Sequence, residues 1–380
     1  MSLTQLSIPF LRASFPSTLH EDLAEVLNSG YVGAGAHVEF FEHALEDYLG
    51  ASTVLATSSC TAALTLAYID AGIKQGSVVL STPMTCAATN IPLLQLGAKI
   101  AWLDVDPFSG NVTSESVAQG FNRYPETQAV VIMDWGGVPC DYSSILAECR
   151  LRGTPLILDA AQSFGSLHEG KRYPSDIDYV CYSFGPTKLF STVEGGAIAI
   201  KAHLDAQRIR TLRWYGIRRE SRDPLRFWEY QIEEELGYRF VFNNVFAAIG
   251  LRLLPALDAR LSHHRKLAEI YDELLSETPG LRLGKRLPTS DPNFWLYTVL
   301  VDEREQFLTR LHSHGIHAAT PHRRNDKLLA TWNEVNAFVN CPGVDQFDQS
   351  YVCLPIGPWL QIDDIKRVCG LIKKGLVGSV

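Results

Sequence analysis

The chain has 380 residues, of which 46% are hydrophobic and 20% are charged, as in ordinary globular proteins. This length can bury a large core, and we expect two domains. The net charge of −8 argues against general attraction to nucleic acid or to an anionic membrane.

The eight cysteines are scattered and form neither a CxxC pair nor a Cys/His spacing typical of zinc. They do not form the dense framework of a secreted disulfide protein. The amino-terminal sequence MSLTQLSIPFLRASFP lacks the features of a signal peptide. No window approaches about 20 uninterrupted apolar residues. We therefore expect reduced thiols, no metal site, no transmembrane helix and a cytoplasmic location.

Helical patterns alternate with short apolar runs from about residue 18 to residue 275. Apolar residues recur at three- and four-residue spacing in the predicted helices. The runs between them are apolar on both faces, as buried strands of a largely parallel sheet require. The pattern favours an α/β sandwich layered helix, sheet, helix. The helices are predicted at 19–28, 38–48 and 62–72, and the strands at 53–56, 77–81, 99–103, 129–133, 155–158, 179–182 and 196–200.

The composition changes after Asn243, where two long helical segments begin and where Pro255 should kink the first of them. Strand-like and helix-like segments then follow in an order that suits a smaller α+β domain. We predict a large domain over residues 15–250 and a small domain over 251–380 together with 1–14. The helices are predicted at 247–261, 262–277, 303–314 and 362–374, and the strands at 294–301 and 351–354.

Hydroxyl and thiol residues follow the first predicted strand and open a helix. Free backbone N–H groups at a helix N-terminus form a ready anion site. An ordinary helix cap is the alternative, since Ser and Thr are favoured there in any case. The residues are Ser58, Ser59, Cys60 and Thr61.

Asp159 ends the apolar run 155–158 and precedes Gln162 by three residues. An acid in this position can pair with a protonated pyridine nitrogen and make the ring an electron sink. Gln162 could hydrogen-bond the phenolic oxygen of such a ring. A helix cap or a metal ligand is the alternative for Asp159, although the sequence DAAQS offers no second acid.

Lys188 follows another apolar run and precedes the turn-like Glu194-Gly195-Gly196. A partly desolvated lysine has a lowered pKa and a free amine for attack. Ser183, at the end of the preceding strand, is placed to add a phosphate contact. Most single lysines are solvated surface charges. Two strand ends that offer a lysine and an acid, however, are what covalent binding of pyridoxal phosphate needs.

Several short motifs occur in one order along the chain, and together they are specific. They are Gly30-Tyr31-Val32-Gly33, Phe41-Glu42, residues 59–64, residues 82–90, residues 135–141, Asp159-Ala160-Ala161-Gln162, residues 183–188 and Gly195-Gly196. In this order they resemble the sugar aminotransferases of the DegT/DnrJ/EryC1/StrS family over nearly the whole chain. The resemblance implies an aspartate-aminotransferase-like fold, type I of the pyridoxal-phosphate enzymes. That fold has a large α/β/α sandwich domain with a mixed, mostly parallel sheet and a smaller C-terminal α+β domain.

The resemblance also implies roles for single residues. Lys188 would form the internal aldimine with pyridoxal 5'-phosphate, and Asp159 would contact its pyridine nitrogen. Gln162 would contact the ring oxygen. The phosphate would be held by Ser183 and by the start of the helix, Ser59, Cys60 and Thr61.

Family members are typically homodimers in which each active site borrows residues from the partner. Residues 237–244 resemble the segment that reaches across, so Arg239 is expected near the neighbour's phosphate. Cys86 stands where many relatives carry an aromatic residue that stacks on the cofactor ring. Asp134 stands where a related subgroup tends to have His, and either a functional role or local bonding to amides would explain it.

Two basic stretches could bind a nucleotide diphosphate or the carboxylates of an amino donor, because arginine pairs bidentately with both anions. From them we predict Arg219, His322 and Arg323 as substrate-binding residues. A solvated helix face is the alternative for much of the first stretch. The stretches are Arg208, Arg210, Arg213, Arg218, Arg219 and Arg222, and His322-Arg323-Arg324.

The function expected from the resemblance is transfer of an amino group from L-glutamate to a keto-sugar. A nucleotide-linked sugar of the 3- or 4-keto-6-deoxy type is expected, in amino-sugar, polysaccharide or natural-product biosynthesis. A pyridoxal-phosphate-dependent sugar dehydratase is an alternative, although such relatives carry His at the lysine position or cysteines for an iron–sulfur cluster. A non-enzymatic regulator that keeps the fold is a third possibility, against which Lys188, Asp159 and Gln162 all count.

Overall fold

The computed structural model describes residues 7–202, 204–218, 235–332 and 340–376. Short strands that are apolar on both faces build the centre of its larger part, because helices cover them on both sides. The first eight strands are β1 (Val54–Thr57), β2 (Val78–Ser81), β3 (Lys99–Trp102), β4 (Ala129–Met133), β5 (Leu156–Asp159), β6 (Leu167–His168), β7 (Tyr179–Ser183) and β8 (Gly196–Ile200).

Seven of these strands form one sheet in the order β1-β8-β7-β5-β4-β2-β3. The pairs β2–β3, β2–β4, β4–β5 and β5–β7 are parallel, whereas β8 runs antiparallel to both β1 and β7. The predicted mixed, mostly parallel sheet is confirmed. Because the parallel strands end at one edge, the loops that follow them lie side by side.

Helices connect the strands and continue beyond the sheet. They are α1 (Leu19–Ser29), α2 (Ala36–Leu49), α3 (Cys60–Asp70), α4 (Ala87–Gln95), α5 (Ser114–Arg123), α6 (Tyr142–Arg150), α7 (Ala206–Leu212), α8 (Asn244–Leu253), α9 (Leu257–Leu275), α10 (Arg304–Ser313), α11 (Asn325–Leu328), α12 (Pro342–Ser350) and α13 (Ile362–Leu376).

A second, antiparallel sheet has the strand order β12-β11-β9, where β9 is Leu281–Leu283, β11 is Tyr297–Val301 and β12 is Tyr351–Leu354. A short β10 (Ser290–Asp291) pairs with β6. The second sheet, α9 and α13 share a hydrophobic cluster that also includes Ile8, while the large sheet has its own. The proposed division at residue 250 stays a prediction.

Three predicted elements differ from the structure, namely the two long helical segments after Asn243 and one strand. The first long helix ends at Leu253, and a short 3-10 turn around Pro255 separates it from α9, which starts at Leu257 rather than at residue 262. Proline removes a helical N–H and clashes with the preceding turn, so it interrupts the helix here instead of kinking it.

The strand predicted at 294–301 begins only at Tyr297. Phe294 has a positive φ of 51°, and the Asn293 side chain accepts a hydrogen bond from the Trp295 N–H at 2.9 Å. This local turn keeps residues 293–296 out of the sheet.

Within the part of the chain that the structure describes, no helix is both long enough and apolar enough to span a membrane.

Candidate active site

The carboxyl ends of the parallel strands bring the predicted residues to one edge of the sheet. Asp134 follows β4, Asp159 ends β5, and β7 ends at Ser183, five residues before Lys188. Ser58 follows β1, which lies two strands from β7. The topology therefore brings these acidic, hydroxyl and lysine residues, which are far apart in the sequence, to the same edge of the sheet.

Asp159 is buried, and its carboxylate is held from several sides. Oδ2 accepts a hydrogen bond from Thr89 Oγ1 at 2.6 Å, and Oδ1 accepts one from the Ala161 N–H at 3.0 Å. The Cys60 thiol lies 3.8 Å from Oδ1. Burial raises the pKa of Asp159, against the lowering effect of the Thr89 and Ala161 hydrogen bonds. The carboxyl group is thus fixed in orientation at the floor of the site.

Lys188 is partly buried, and its Nζ lies 3.6 Å from the centre of the Trp295 ring. Burial lowers the pKa of Lys188, and the charge of Asp159 opposes this effect. A lowered pKa makes the free amine more abundant near neutral pH, which nucleophilic attack requires.

The start of α3 provides the predicted anion site. The Ser59 side chain caps the helix by accepting from the Ala62 N–H at 3.1 Å, so Cys60 and Thr61 are in the first turn, whose N–H groups have no intrahelical acceptor. Gly196 lies against this turn, where any Cβ would overlap the backbone of Ser59 and Cys60. Glycine is therefore required for β8 to approach the helix N-terminus this closely.

Gln162 and His322 meet in the site, although they are far apart in sequence. Gln162 Oε1 accepts from the Gly136 N–H at 2.7 Å, and its Nε2 lies 3.0 Å from His322 Nε2. Burial, together with the charge of Lys188, lowers the pKa of His322 to about 4. A neutral ring nitrogen can accept one amide N–H, which leaves the second N–H of Gln162 for a ligand.

Asp134 is fully buried and bonded to its neighbours. Oδ2 accepts from Tyr142 OH at 2.5 Å and from Ser163 Oγ at 2.6 Å, and Oδ1 accepts from the Cys140 N–H at 2.9 Å. Ser163 follows Gln162 directly in the chain. Of the two roles considered for Asp134, these bonds favour the local one, in which it holds the loop that carries Gln162.

Asp134→Asn should make stability less dependent on pH. Burial raises the pKa of Asp134 from 3.8 to about 6, so the folded protein binds the proton more tightly than the unfolded chain. The contribution of this group is therefore present at acid pH and is lost as the pH rises through about 6. The free energy of unfolding of the wild type, relative to that of the variant, should fall by about 2 kcal/mol between pH 4 and 6 and level off above about pH 7.

Urea denaturation of cofactor-free protein between pH 4 and 7.5 measures this difference. Asp363→Asn, which replaces an exposed carboxylate at the start of α13, is the matched control. The prediction would be contradicted if the free energies of unfolding of the wild type and of Asp134→Asn differed by the same amount at every pH.

Cys86 and Arg239 are both exposed. Cys86 directly precedes α4. Arg239 lies on a segment that pairs with Trp214, and the neighbouring Phe240 carbonyl accepts from the Ser58 N–H at 2.8 Å. The roles predicted for both side chains stay predictions.

Many arginines of the two basic stretches are already paired with carboxylates. Arg208 contacts Asp70 and Glu235, and Arg210 and Arg213 both contact the buried Glu42. Arg324 is likewise held, by Asp326 and Asp345. Arg323 is exposed. Arg219 and Arg222 lie outside the described residues.

Thr89 and Trp295, which were not among the predicted site residues, contact Asp159 and Lys188. Thr89 lies within the motif 82–90 that resembles the family. Its hydroxyl, three residues after Cys86, is the feature of the sequence that could have marked it as a site residue. Trp295 sits in an apolar run that resembles a strand, and only the turn-forming Pro292-Asn293 pair before it marks an irregular segment.

The residues of the site fit the cofactor that the resemblance implies. An amine for covalent attachment, a buried carboxylate for a pyridine nitrogen and free N–H groups for a phosphate converge from three strand ends. Because Gly196 has no Cβ, β8 can lie close to the backbone of Ser59 and Cys60, where the phosphate would bind. Lys188, Asp159, Gln162, Ser183 and the start of α3 would hold the group.

The fold and the arrangement of this site define the class of aspartate-aminotransferase-like enzymes. The model of the DegT/DnrJ/EryC1/StrS aminotransferase family matches residues 16–373. The chain belongs to this family, and the predicted family, fold class and enzymatic nature are confirmed.

Similar proteins support the same assignment. A UDP-4-amino-4,6-dideoxy-N-acetyl-beta-L-altrosamine transaminase of Campylobacter jejuni is 27% identical over 94% of this chain and 96% of its own length. A dTDP-4-dehydro-2,3,6-trideoxy-D-glucose 4-aminotransferase of Saccharopolyspora spinosa is 28% identical over 93% of each. The crystal structure of the sugar aminotransferase CalS13 of Micromonospora echinospora aligns with a TM-score of 0.89 at 31% identity, over 97% of this chain and all of that one.

Proposed function

We propose that this protein is a pyridoxal-phosphate-dependent aminotransferase that transfers the amino group of L-glutamate to a nucleotide-linked keto-sugar of the 3- or 4-keto-6-deoxy type. The observation that carries the proposal is the convergence of Lys188 and Asp159 at one sheet edge in a member of an aminotransferase family. The names of the two relatives above, both transaminases of nucleotide-linked deoxysugars, support the sugar substrate.

The bound cofactor would supply an electron sink for the carbon that exchanges its amino group. Lys188 would first attach the cofactor and later, as a free amine, hold and move a proton at its Nζ. Asp159 would keep the pyridine nitrogen protonated, because a nearby carboxylate favours the positive charge. Gln162 would orient the ring through its remaining amide N–H. The N–H groups of Cys60 and Thr61 would bind the phosphate.

Arg323 and His322 are proposed to contact the substrates at the opening of the site. Arg323 is exposed and can pair with an anion. His322 has a lowered pKa, so it would act as a neutral hydrogen-bonding group. All eight cysteines are free thiols, which suits the cytoplasmic location also proposed, because thiols stay reduced there.

The test of this function is a two-sided amino-transfer assay with the purified protein. The cofactor-loaded enzyme should convert one equivalent of L-glutamate per active site without an acceptor, and continued formation of 2-oxoglutarate should require that a nucleotide-linked keto-sugar gains an amine, as followed by mass spectrometry. Candidate acceptors are 3-keto and 4-keto 6-deoxy sugars on different nucleotides. Failure of every keto-sugar to accept the amine, with glutamate still consumed in the first half-reaction, would exclude the sugar substrate and keep the aminotransferase chemistry.

A homodimer with shared active sites is part of the proposal. Large apolar side chains are exposed at the ends of α1 and α2, including Leu27, Tyr31 and Phe40, with Tyr31 80% exposed. Such a surface favours contact with another protein surface. Arg239 would then reach the phosphate of the partner's site.

Mixing Lys188→Ala with Arg239→Ala subunits should restore activity that neither variant has alone. Arg239→Ala should weaken cofactor binding by about tenfold to a hundredfold, because a charge-assisted hydrogen bond is lost. In a mixed dimer, one of the two sites combines the intact Lys188 of one subunit with the intact Arg239 of the other. Half of randomly mixed dimers are of this kind, so about a quarter of wild-type activity should return.

The assay is carried out at limiting cofactor after the two variants have been unfolded and refolded together. Each variant refolded alone serves as the control. No recovery on mixing would place Arg239 in the site of its own subunit. Unchanged cofactor affinity of Arg239→Ala would remove it from the phosphate site altogether.

A further inference from the structure

The indole of Trp295 contacts the Lys188 loop in two ways. Its ring face lies under the amine, with Lys188 Nζ 3.6 Å from the ring centre. Its edge N–H donates a hydrogen bond to the carbonyl of Thr187 at 2.7 Å. One side chain thus holds both the backbone that carries the lysine and the end of the lysine side chain.

The ring is fixed from the other side by Asn293. This residue is buried, and its Nδ2 donates to the carbonyls of Gln162 at 2.9 Å and Phe164 at 3.0 Å. Its Oδ1 accepts a hydrogen bond from the backbone N–H of Trp295. Trp295 itself is only 5% exposed. The loop that follows Asp159 therefore determines where the indole lies, and the ring cannot easily turn away from Lys188.

A ring face favours the charged form of an amine, because the negative face of the aromatic ring attracts the ammonium group. Burial acts in the opposite direction, whereas the carboxylate of Asp159 also favours the ammonium form. The neutral His322 ring also faces this region, since it stacks beside Trp295 with ring centres 6.1 Å apart. Among the residues that the structure describes, Trp295 is the aromatic group whose ring face contacts the Nζ.

We propose that Trp295 is a positioning residue that binds the protonated side chain of Lys188 on its ring face. The functional consequence rests on the proposed aminotransferase activity, in which Lys188 alternates between a free amine and an ammonium group. When the amine takes up a proton, its lone pair forms the new N–H bond and the ring face stabilises the resulting charge. When the proton is returned, the amine leaves the ring. Trp295 thereby keeps both forms of Lys188 accessible in a buried site.

The test measures the proton affinity of Lys188 in the cofactor-free protein. The rate of Lys188 modification by acetic anhydride is followed by peptide mass spectrometry as a function of pH, since only the free amine reacts. Tryptophan is replaced biosynthetically by fluorotryptophans with increasing numbers of fluorine atoms, which weaken the ring face with little change of shape. The pKa of Lys188 should fall stepwise with fluorine number, by about half a unit to one and a half units in total. At a fixed pH below the pKa, modification should become about 3 to 30 times faster.

Two variants separate the ring face from its surroundings. Trp295→Phe keeps a weaker face and should give an intermediate pKa, whereas Trp295→Leu removes the face. In Trp295→Leu the fluorotryptophans should have no effect on Lys188, because the other tryptophans in the part of the chain that the structure describes remain labelled but show no ring contact with its Nζ. A pKa that is insensitive to fluorination in the wild type, or equally sensitive in Trp295→Leu, would overturn the proposal.

A separate measurement with pyridoxal phosphate keeps this result distinct from the proposed function. Borohydride treatment of the loaded wild type should leave the cofactor bound to Lys188 in the peptide map. If no such link forms, the proposed function fails while the pKa series still decides the role of Trp295. If the link forms and the series is flat, only the role of Trp295 is wrong.

Discussion

Lys188→Ala should lower the rate of amino transfer by about 10⁴-fold or more. The variant lacks both the amine that attaches the cofactor and the group that carries the proton, and each contributes a large factor to such reactions. The absorbance band near ~420 nm that reports the covalent link should disappear, and borohydride should fix no cofactor at position 188. Single-turnover absorbance measurements with L-glutamate follow the loss.

Added primary amines should partly restore Lys188→Ala, because a small amine can enter the space of the missing side chain and carry the proton. Lys188→Arg fills that space with a group that stays protonated, so it should be inactive and should not respond to amines. Lys266→Ala removes an exposed lysine that pairs with Glu269 on α9, and it should behave as the wild type. Retention of a tenth or more of the wild-type rate in Lys188→Ala would rule out its catalytic role.

Asp159→Asn should lower the rate by about 10²- to 10³-fold without destabilising the fold. A neutral amide cannot keep a pyridine nitrogen protonated, so the electron sink is lost. Burial raises the pKa of Asp159, which means that the folded protein favours the protonated form and that the charge becomes a cost as the pH rises through the folded-state value. Removing the charge should leave the melting temperature at pH 7.5 unchanged or higher.

Thr89→Val is the matched comparison for Asp159→Asn. It removes the hydroxyl that donates to Oδ2 at 2.6 Å but keeps the carboxylate and nearly the same volume. The rate should then fall less than in Asp159→Asn, by about 10- to 100-fold, as expected for one hydrogen bond to a charged group. The two quantities to compare are kcat with the cofactor bound and the melting temperature without it. Equal losses of kcat in the two variants would show that the charge of Asp159 is not what matters.

Much of the seven-stranded sheet could be predicted from the sequence. The strands that end at Met133, Asp159 and Ser183 are short runs of apolar residues, and such runs are buried wherever helices cover both faces of a sheet. Because parallel strands end at a common edge, the sequence alone indicated that Asp159 and Lys188 would share a site. The resemblance to the family then named the chemistry that the pair could perform.

The surroundings of the pair could not be predicted, because they depend on contacts between distant segments. Gln162 meets His322 across 160 positions of sequence, and Trp295 contacts a lysine more than a hundred positions away. Arginines that appeared available for anions are paired with Asp70 and Glu42. Such partners leave no periodic pattern in the sequence.

The sequence by itself determined where the apolar strands lie along the chain and which residues stand at their ends. It also determined the family to which the chain belongs. These features are local, since they follow from the alternation of apolar and polar residues and from single motifs. Only the tertiary structure decided that the irregular segment 293–296 lies over Lys188 and that Asp134 holds the loop carrying Gln162. The physical reason is that burial and hydrogen bonding between distant residues set their positions and pKa values, and both arise only when the chain is folded.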